Sequence, residues 1–173
     1  LDGDGVNDIV AGARSDDDGG TGSGAVYILF LTTDGLVNSA QKISNSFGSL
    51  SSFYTLESGA TFGCSSKSIG DLDEDGVPDI VIGAWADEDG GAVYNVFLTT
   101  DGLIKAAQKI SNSYGNFPYT ISSVSYFGIG ATSMGDLDLD GVMDIAVGAY
   151  ADNDGGSNTG AGFIMFLAAR LVR

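Results

Sequence analysis

Asp71-Leu72-Asp73-Glu74-Asp75-Gly76-Val77-Pro78-Asp79 runs directly into Ile80-Val81-Ile82-Gly83-Ala84, and this junction of an acidic loop with a short apolar run decides the fold class. The loop carries carboxylates at its positions 1, 3, 5 and 9. A glycine stands at position 6, where a sharp turn needs a left-handed backbone, and the residue at position 7 can offer a backbone carbonyl. The run that follows is short, rich in Val and Ile, and bounded by Asp and Gly, which predicts a strand rather than a helix.

The junction recurs. Asp136-Leu137-Asp138-Leu139-Asp140-Gly141-Val142-Met143-Asp144 leads into Ile145-Ala146-Val147-Gly148-Ala149, and Asp2-Gly3-Asp4-Gly5-Val6-Asn7-Asp8 leads into Ile9-Val10-Ala11-Gly12-Ala13. The copies are offset by 71 residues (2 to 73) and by 65 residues (73 to 138). That is too long for one hairpin and suits a four-stranded antiparallel sheet with its loops. Within one unit the further apolar runs are Ala92–Leu98, Ala107–Ser111 after a Thr-Asp-Gly turn, and Tyr126–Gly130, which enters the next acidic loop. These runs are apolar at both parities, as expected of strands covered on both faces. The sequence therefore predicts an all-β chain of stacked four-stranded blades, a β-propeller architecture.

A chain that wraps a hard cation presents side chains at positions 1, 3 and 5 and a carbonyl at 7, and the acidic loop has that spacing. Calcium takes 6 to 8 oxygen ligands, which four carboxylates, one carbonyl and water can supply. With no histidine in the chain, zinc and copper are poor candidates. Magnesium fits less well, because its small octahedral shell keeps several waters. Asp and Gly also build ordinary turns, and one such loop would decide nothing; three copies in register favour the metal. An EF-hand is excluded by position 12, which is Ile82 in one loop and Val147 in the next where a bidentate glutamate is needed.

At these residues the units resemble FG-GAP repeats, as in the propeller at the amino-terminal end of integrin α subunits. Phe62-Gly63 and Phe127-Gly128 match the FG element; Gly12-Ala13, Gly83-Ala84 and Gly148-Ala149 match the GAP element, with Arg14, Trp85 and Tyr150 in place of its proline. The resemblance covers nearly the whole chain. It implies calcium ligation by Asp71, Asp73, Asp75 and Asp79 with the Val77 carbonyl, and by Asp136, Asp138, Asp140 and Asp144 with that of Val142. Asp2, Asp4, Val6 and Asp8 match the later positions of a third loop. The family also implies a seven-bladed propeller, and at about 65 residues per blade even smaller propellers exceed 173 residues. The expected division is a blade lacking its first strand (1–61), a complete blade (62–126) and a blade lacking its last strand (127–173). Further blades from a parent chain, or self-association through open strand edges, would complete them. The tail from Leu167 to Arg173 departs from the Thr-Thr-Asp-Gly that follows the same strand elsewhere.

Charge and composition exclude several function classes. A formal net charge of -16, from 23 Asp and Glu against 7 Lys and Arg, disfavours nucleic acid and anionic membranes as partners. No apolar stretch reaches the ~20 residues of a membrane helix, so membrane insertion is not expected. With 43% apolar residues the chain can build a core. The absence of histidine rules out Ser-His and Cys-His catalysis, and the single cysteine, Cys64, is expected as an inert thiol in the strand beside Phe62-Gly63. Paired aspartates could serve glycoside hydrolysis, but here they repeat with the loops, which suits structure rather than one active site.

A second acidic element follows each GAP-like strand: Asp16-Asp17-Asp18-Gly19-Gly20, Asp87-Glu88-Asp89-Gly90-Gly91 and Asp152-Asn153-Asp154-Gly155-Gly156. It reads as a solvated Asx-type turn and is not taken as a metal site. If the calcium loops join strands one and two of each blade, the loops joining strands two to three and four to one emerge at the opposite face. Trp85, Tyr54 and Tyr119 lie there, either to meet a protein or carbohydrate ligand or to fill gaps between blades. The expected function is a non-catalytic adhesion module; the alternative is a lectin-like or accessory propeller of a secreted hydrolase. Loops of this kind bind calcium at about 10⁻⁴ to 10⁻³ M, which points to an extracellular or cell-surface location.

Overall fold

A computed structural model describes residues 1–168; the end of the tail considered above, residues 169–173, lies outside the described residues. The described residues form ten strands and one short 3-10 turn, Leu50–Ser52. Strands β1 (Ile9–Ala13), β2 (Ala25–Leu31) and β3 (Val37–Ile43) make the first antiparallel sheet. The second has four strands, β4 (Ser65–Gly70), β5 (Asp79–Ala84), β6 (Ala92–Leu98) and β7 (Ile104–Ile110), in sequential order. The third comprises β8 (Phe127–Gly135), β9 (Asp144–Ala149) and β10 (Ala161–Met165). Among the described residues no helix is long and apolar enough to cross a membrane.

Successive sheets stack face to face. Every residue of β5 and β6 is buried, and their two parities serve two different cores. Ile80, Ile82, Tyr94, Val96 and Leu98 pack against Val26, Ile28 and Phe30 of the first sheet. Val81, Val93 and Phe97 pack against Phe127, Ile145 and Val147 of the third. This is the physical origin of the double-parity apolar pattern. The FG elements stitch the stack: Phe62 bridges Gly24, and Phe127 bridges Gly91, each across to the preceding sheet.

Three boundaries differ from the sequence expectation. β7 begins at Ile104 rather than Ala107, because a tight turn closed by Thr99 and Leu103 (N to O 2.9 Å) delivers Ile104 directly opposite Leu98. β8 continues through polar Thr132 and Ser133 to Gly135, since ladder pairing with β9 engages the backbone and not the side chains. Cys64 sits in the bend before β4 instead of in a strand. Its thiol is half-buried, donates to the Gly128 carbonyl at 3.3 Å, and has its pKa raised by burial.

Candidate metal centre

Each acidic loop is a tight connection into the second strand of its unit, and all three copies share one backbone course. Positions 4 and 6 take positive φ in every copy: Gly3 and Gly5 at 82° and 85°, Glu74 and Gly76 at 60° and 92°, Leu139 and Gly141 at 64° and 92°. The glycine at position 6 is the one the sequence singled out. The left-handed residue at position 4 was not legible, because Glu74 and Leu139 pay roughly 1 to 2 kcal/mol for a conformation that Gly3 adopts freely.

Side-chain carboxylates hold that course. Asp71 accepts from the amides of Asp75 (3.1 Å) and Gly76 (2.7 Å); Asp136 accepts in the same way from Asp140 (3.1 Å) and Gly141 (2.9 Å). At position 5, Asp4, Asp75 and Asp140 each accept from the amide two residues on, at Val6, Val77 and Val142. Position 9 anchors the loop to its sheet. Buried Asp79 accepts from Leu72 N (2.9 Å) and, across the sheet, from Leu98 N (3.0 Å). Asp144 repeats this with Leu137 (2.8 Å) and Leu167 (2.9 Å), and Asp8 accepts from Leu31 N at 3.0 Å.

The fold thereby gathers carboxylates that repel one another. One oxygen from each of Asp71, Asp73 and Asp79 lies within 4.8 Å of the others, and Asp136, Asp138 and Asp144 form the equivalent trio. Asp75 and Asp140, at position 5, stand outside the trios. Val77 and Val142 turn buried side chains inward at position 7. Among the described residues, Asp2, Asp4 and Asp8 are not drawn together in this way, and the amine of Leu1 lies against Asp8. All donors in the trios are hard oxygens, which suits a hard divalent cation. Burial pushes the pKa of Asp79 up to about 6 despite its two amide hydrogen bonds, with Asp73 adding like-charge repulsion.

One feature of the loop at 71–79 was not anticipated. Lys105, on β7, reaches Asp73 at 3.0 Å and also pairs with Asp75. This ammonium holds the Asp75 carboxyl below the usual carboxylate range. Partial burial opposes the charge on Lys105, but the bonds to Asp75 and Asp73 outweigh it and raise its pKa.

In the first two units the second acidic loops are not the solvated turns that their composition suggests, whereas residues 153–156 of the third are exposed. The Asx bonds form, from Asp18 N to Asp16 (3.0 Å) and from Asp154 N to Asp152 (3.0 Å). In the first two units, however, a lysine from the last strand of the sheet, Lys42 on β3 and Lys109 on β7, supplies the cation. Lys109 pairs with buried Asp87 at 2.7 Å, and the Tyr94 hydroxyl donates to the other oxygen at 2.7 Å. Lys42, Asp16 and Tyr27 repeat the arrangement at 2.9 and 3.2 Å. The repeated tyrosine and lysine were visible in the sequence, but nothing short of the strand register shows that they meet the aspartate. At the same end, Trp85, Tyr126 and Tyr150 form a row: centroids are 4.7 Å apart at each step, Tyr126 and Tyr150 are nearly parallel at 13°, and Tyr150 is 58% exposed. Tyr54 instead packs inside, edge-on to Tyr94 and Tyr114, while Tyr119 lies against Phe117 and Phe163.

Comparison with known proteins places these features in context. No family model matches the chain. Human (Homo sapiens) integrin alpha-11 is 33% identical over 156 residues, 88% of this chain and 12% of that protein. Bovine (Bos taurus) integrin alpha-2 is 33% identical over 130 residues, 73% of this chain and 10% of that protein. Integrin alpha-PS5 of Drosophila melanogaster is 30% identical over 150 residues, 86% of this chain and 14% of that protein. The chain thus spans about a tenth of the length of the curated relatives it matches.

Proposed function

Because the chain is an integrin-alpha-like stretch of FG-GAP β-propeller, we propose that it is a calcium-stabilised, non-catalytic adhesion module of the cell surface. The observation that carries this reading is the pair of aspartate trios, Asp71, Asp73, Asp79 and Asp136, Asp138, Asp144, converging at the same positions of two loops. These residues would hold the ion; Asp75, Asp140 and the carbonyls of Val77 and Val142 would complete its oxygen shell, and Asp2, Asp4, Val6 and Asp8 would contribute to a third. Bound calcium neutralises the clustered charge. The aspartate at position 9 then passes that rigidity to the sheet through its bond to the end of the third strand, at Leu98 or Leu167.

The reading divides the chain into blades at 1–61, 62–126 and 127–173, with further blades supplied by a longer parent chain. It assigns partner binding to the face opposite the calcium loops, where exposed Tyr150, stacked in a row with half-buried Tyr126 and Trp85, offers an aromatic surface suited to a protein ligand. A catalytic role is disfavoured by chemistry, since the converging carboxylates are duplicated from unit to unit and no histidine is present.

The test is calcium titration by calorimetry together with thermal unfolding followed by circular dichroism. Millimolar calcium should give binding heat and raise the melting temperature of a β-rich protein; magnesium should do so weakly, and chelation should reverse the gain. Identical melting in calcium and in chelator would remove the assignment.

A further inference from the structure

The 71–79 loop has, besides its proposed ligands, a cation of its own. The Lys105 ammonium lies 3.0 Å from Asp73, a member of the first trio, and pairs with Asp75 at position 5. Its side chain is only 24% exposed, and that of Asp73 is 12% exposed, so solvent screens the contact incompletely. The lysine is not part of the repeat. Val37 pairs with Leu31 as Ile104 pairs with Leu98, so Asn38 is the residue of the first unit that corresponds to Lys105.

We propose that Lys105 is a tethered competitor for calcium at the 71–79 loop, raising the calcium concentration at which that loop fills. An ammonium and a calcium ion draw on the same carboxylate lone pairs. Lysine is suited to yielding them, being a point charge on a flexible four-carbon stem rather than a rigid fork. Calcium that recruits Asp73 and Asp75 has to displace Lys105 or share its partners, and the affinity of the loop falls by what the ion pairs contribute. Without calcium, the same ammonium partly neutralises the loop and keeps it closed. The inference rests on the calcium reading above and specifies what sets the affinity of this loop.

Isothermal calorimetry with calcium chloride isolates the 71–79 loop on a chain carrying Asp136→Asn and Asp138→Asn to silence one loop and Asp2→Asn and Asp4→Asn to silence the partial third. Adding Lys105→Met should tighten calcium binding about threefold to tenfold, whereas Lys105→Arg should leave it weak. In excess chelator, Lys105→Met should melt below its parent, because Asp73 and Asp75 lose their counter-ion; this readout needs no metal and also shows that the variant is folded. Calcium affinity unchanged by Lys105→Met in a folded protein that still binds calcium overturns the proposal and leaves the calcium reading intact. Absence of binding heat in the wild-type chain as well as in every variant overturns both.

Discussion

Gly83 of β5 lies against the backbone of Gly128 so closely that a Cβ placed on it would stand 1.9 Å from the Gly128 carbonyl oxygen. Gly12 meets the Gly63 carbonyl at the same 1.9 Å one unit earlier. In the first two units the glycine of the GAP element is therefore the socket for the glycine of the next FG element, and the two allow one close sheet-to-sheet approach. Because the obstacle is backbone, it cannot rotate away. Gly83→Ala should destabilise the chain by several kcal/mol, on the order of the 1 to 3 kcal/mol of ordinary overpacking or more. Gly148→Ala, whose added carbon meets only the Gly130 carbonyl at 3.8 Å, should cost little in this chain. Urea unfolding of the two variants side by side checks the contrast.

The Asp87–Lys109 pair is the most deeply buried ion pair among the described residues, with both side chains under a tenth exposed. The lysine also sits 5.0 Å from the Tyr114 ring centroid and 5.8 Å from that of Tyr94. Lys109→Met would strand the Asp87 carboxylate with only the Tyr94 hydroxyl and its own loop amide, and should cost about 3 to 5 kcal/mol. Lys42→Met, at a pair whose side chains are 17 to 19% exposed, should cost clearly less. Equal losses in chemical denaturation would show that burial does not set the value of these pairs.

How much of this was legible beforehand follows from the kind of interaction involved. The strands, their order and the trios came from patterns local in sequence: Asp-x-Asp-x-Asp-Gly fixes its own turn, and Ile80-Val81-Ile82 declares burial on both faces. The parts that were not legible depend on register between strands. Lys105 and Asp73 are 32 residues apart, and Lys109 and Asp87 are 22 apart, so only the folded sheet shows that they meet. Position 5 shows a related limit. Spacing treats Asp75 like its neighbours, but in the folded loop its carboxylate is occupied by Val77 N and Lys105, outside the trio.

Asn112 is another residue whose role appears only in the fold. Its side-chain oxygen accepts from Ile121 N at 2.6 Å, and its amide donates to the carbonyls of Ile121 (2.7 Å) and Asp89 (2.9 Å), closing the long loop before β8. Asn45 does the same for Leu56 one unit earlier, at 2.7 and 2.8 Å. Asn112→Ala leaves a buried backbone pair unpartnered and should cost about 2 to 3 kcal/mol. Loss of protection at the Ile121 amide in hydrogen exchange would localise the effect; retained protection there would contradict it.

The pH response of the calcium-free protein follows from Asp79. Its carboxyl titrates at about 6 in the folded chain, against an ordinary value near 4 when unfolded, because it is buried and lies beside Asp73. A raised pKa means that folding favours the protonated form. The contribution of this group is therefore fully present below about pH 4 and is lost as the pH rises through about 6. Between pH 5 and pH 7 the loss should amount to about 1 kcal/mol, and relief of the net charge of -16 acts in the same direction. Asp75 and Asp16, held low by Lys105 and Lys42, act oppositely, but only as the pH falls below the ordinary carboxylate range. In chelator, the urea midpoint should thus be higher at pH 5 than at pH 7, and Asp79→Asn should flatten that difference. Saturating calcium should reverse its sign, since the ion binds the ionised carboxylate and is displaced by protons. A wild-type midpoint in chelator that rises from pH 5 to pH 7 would show that the Asp79 carboxyl is not held in a charge-disfavouring site.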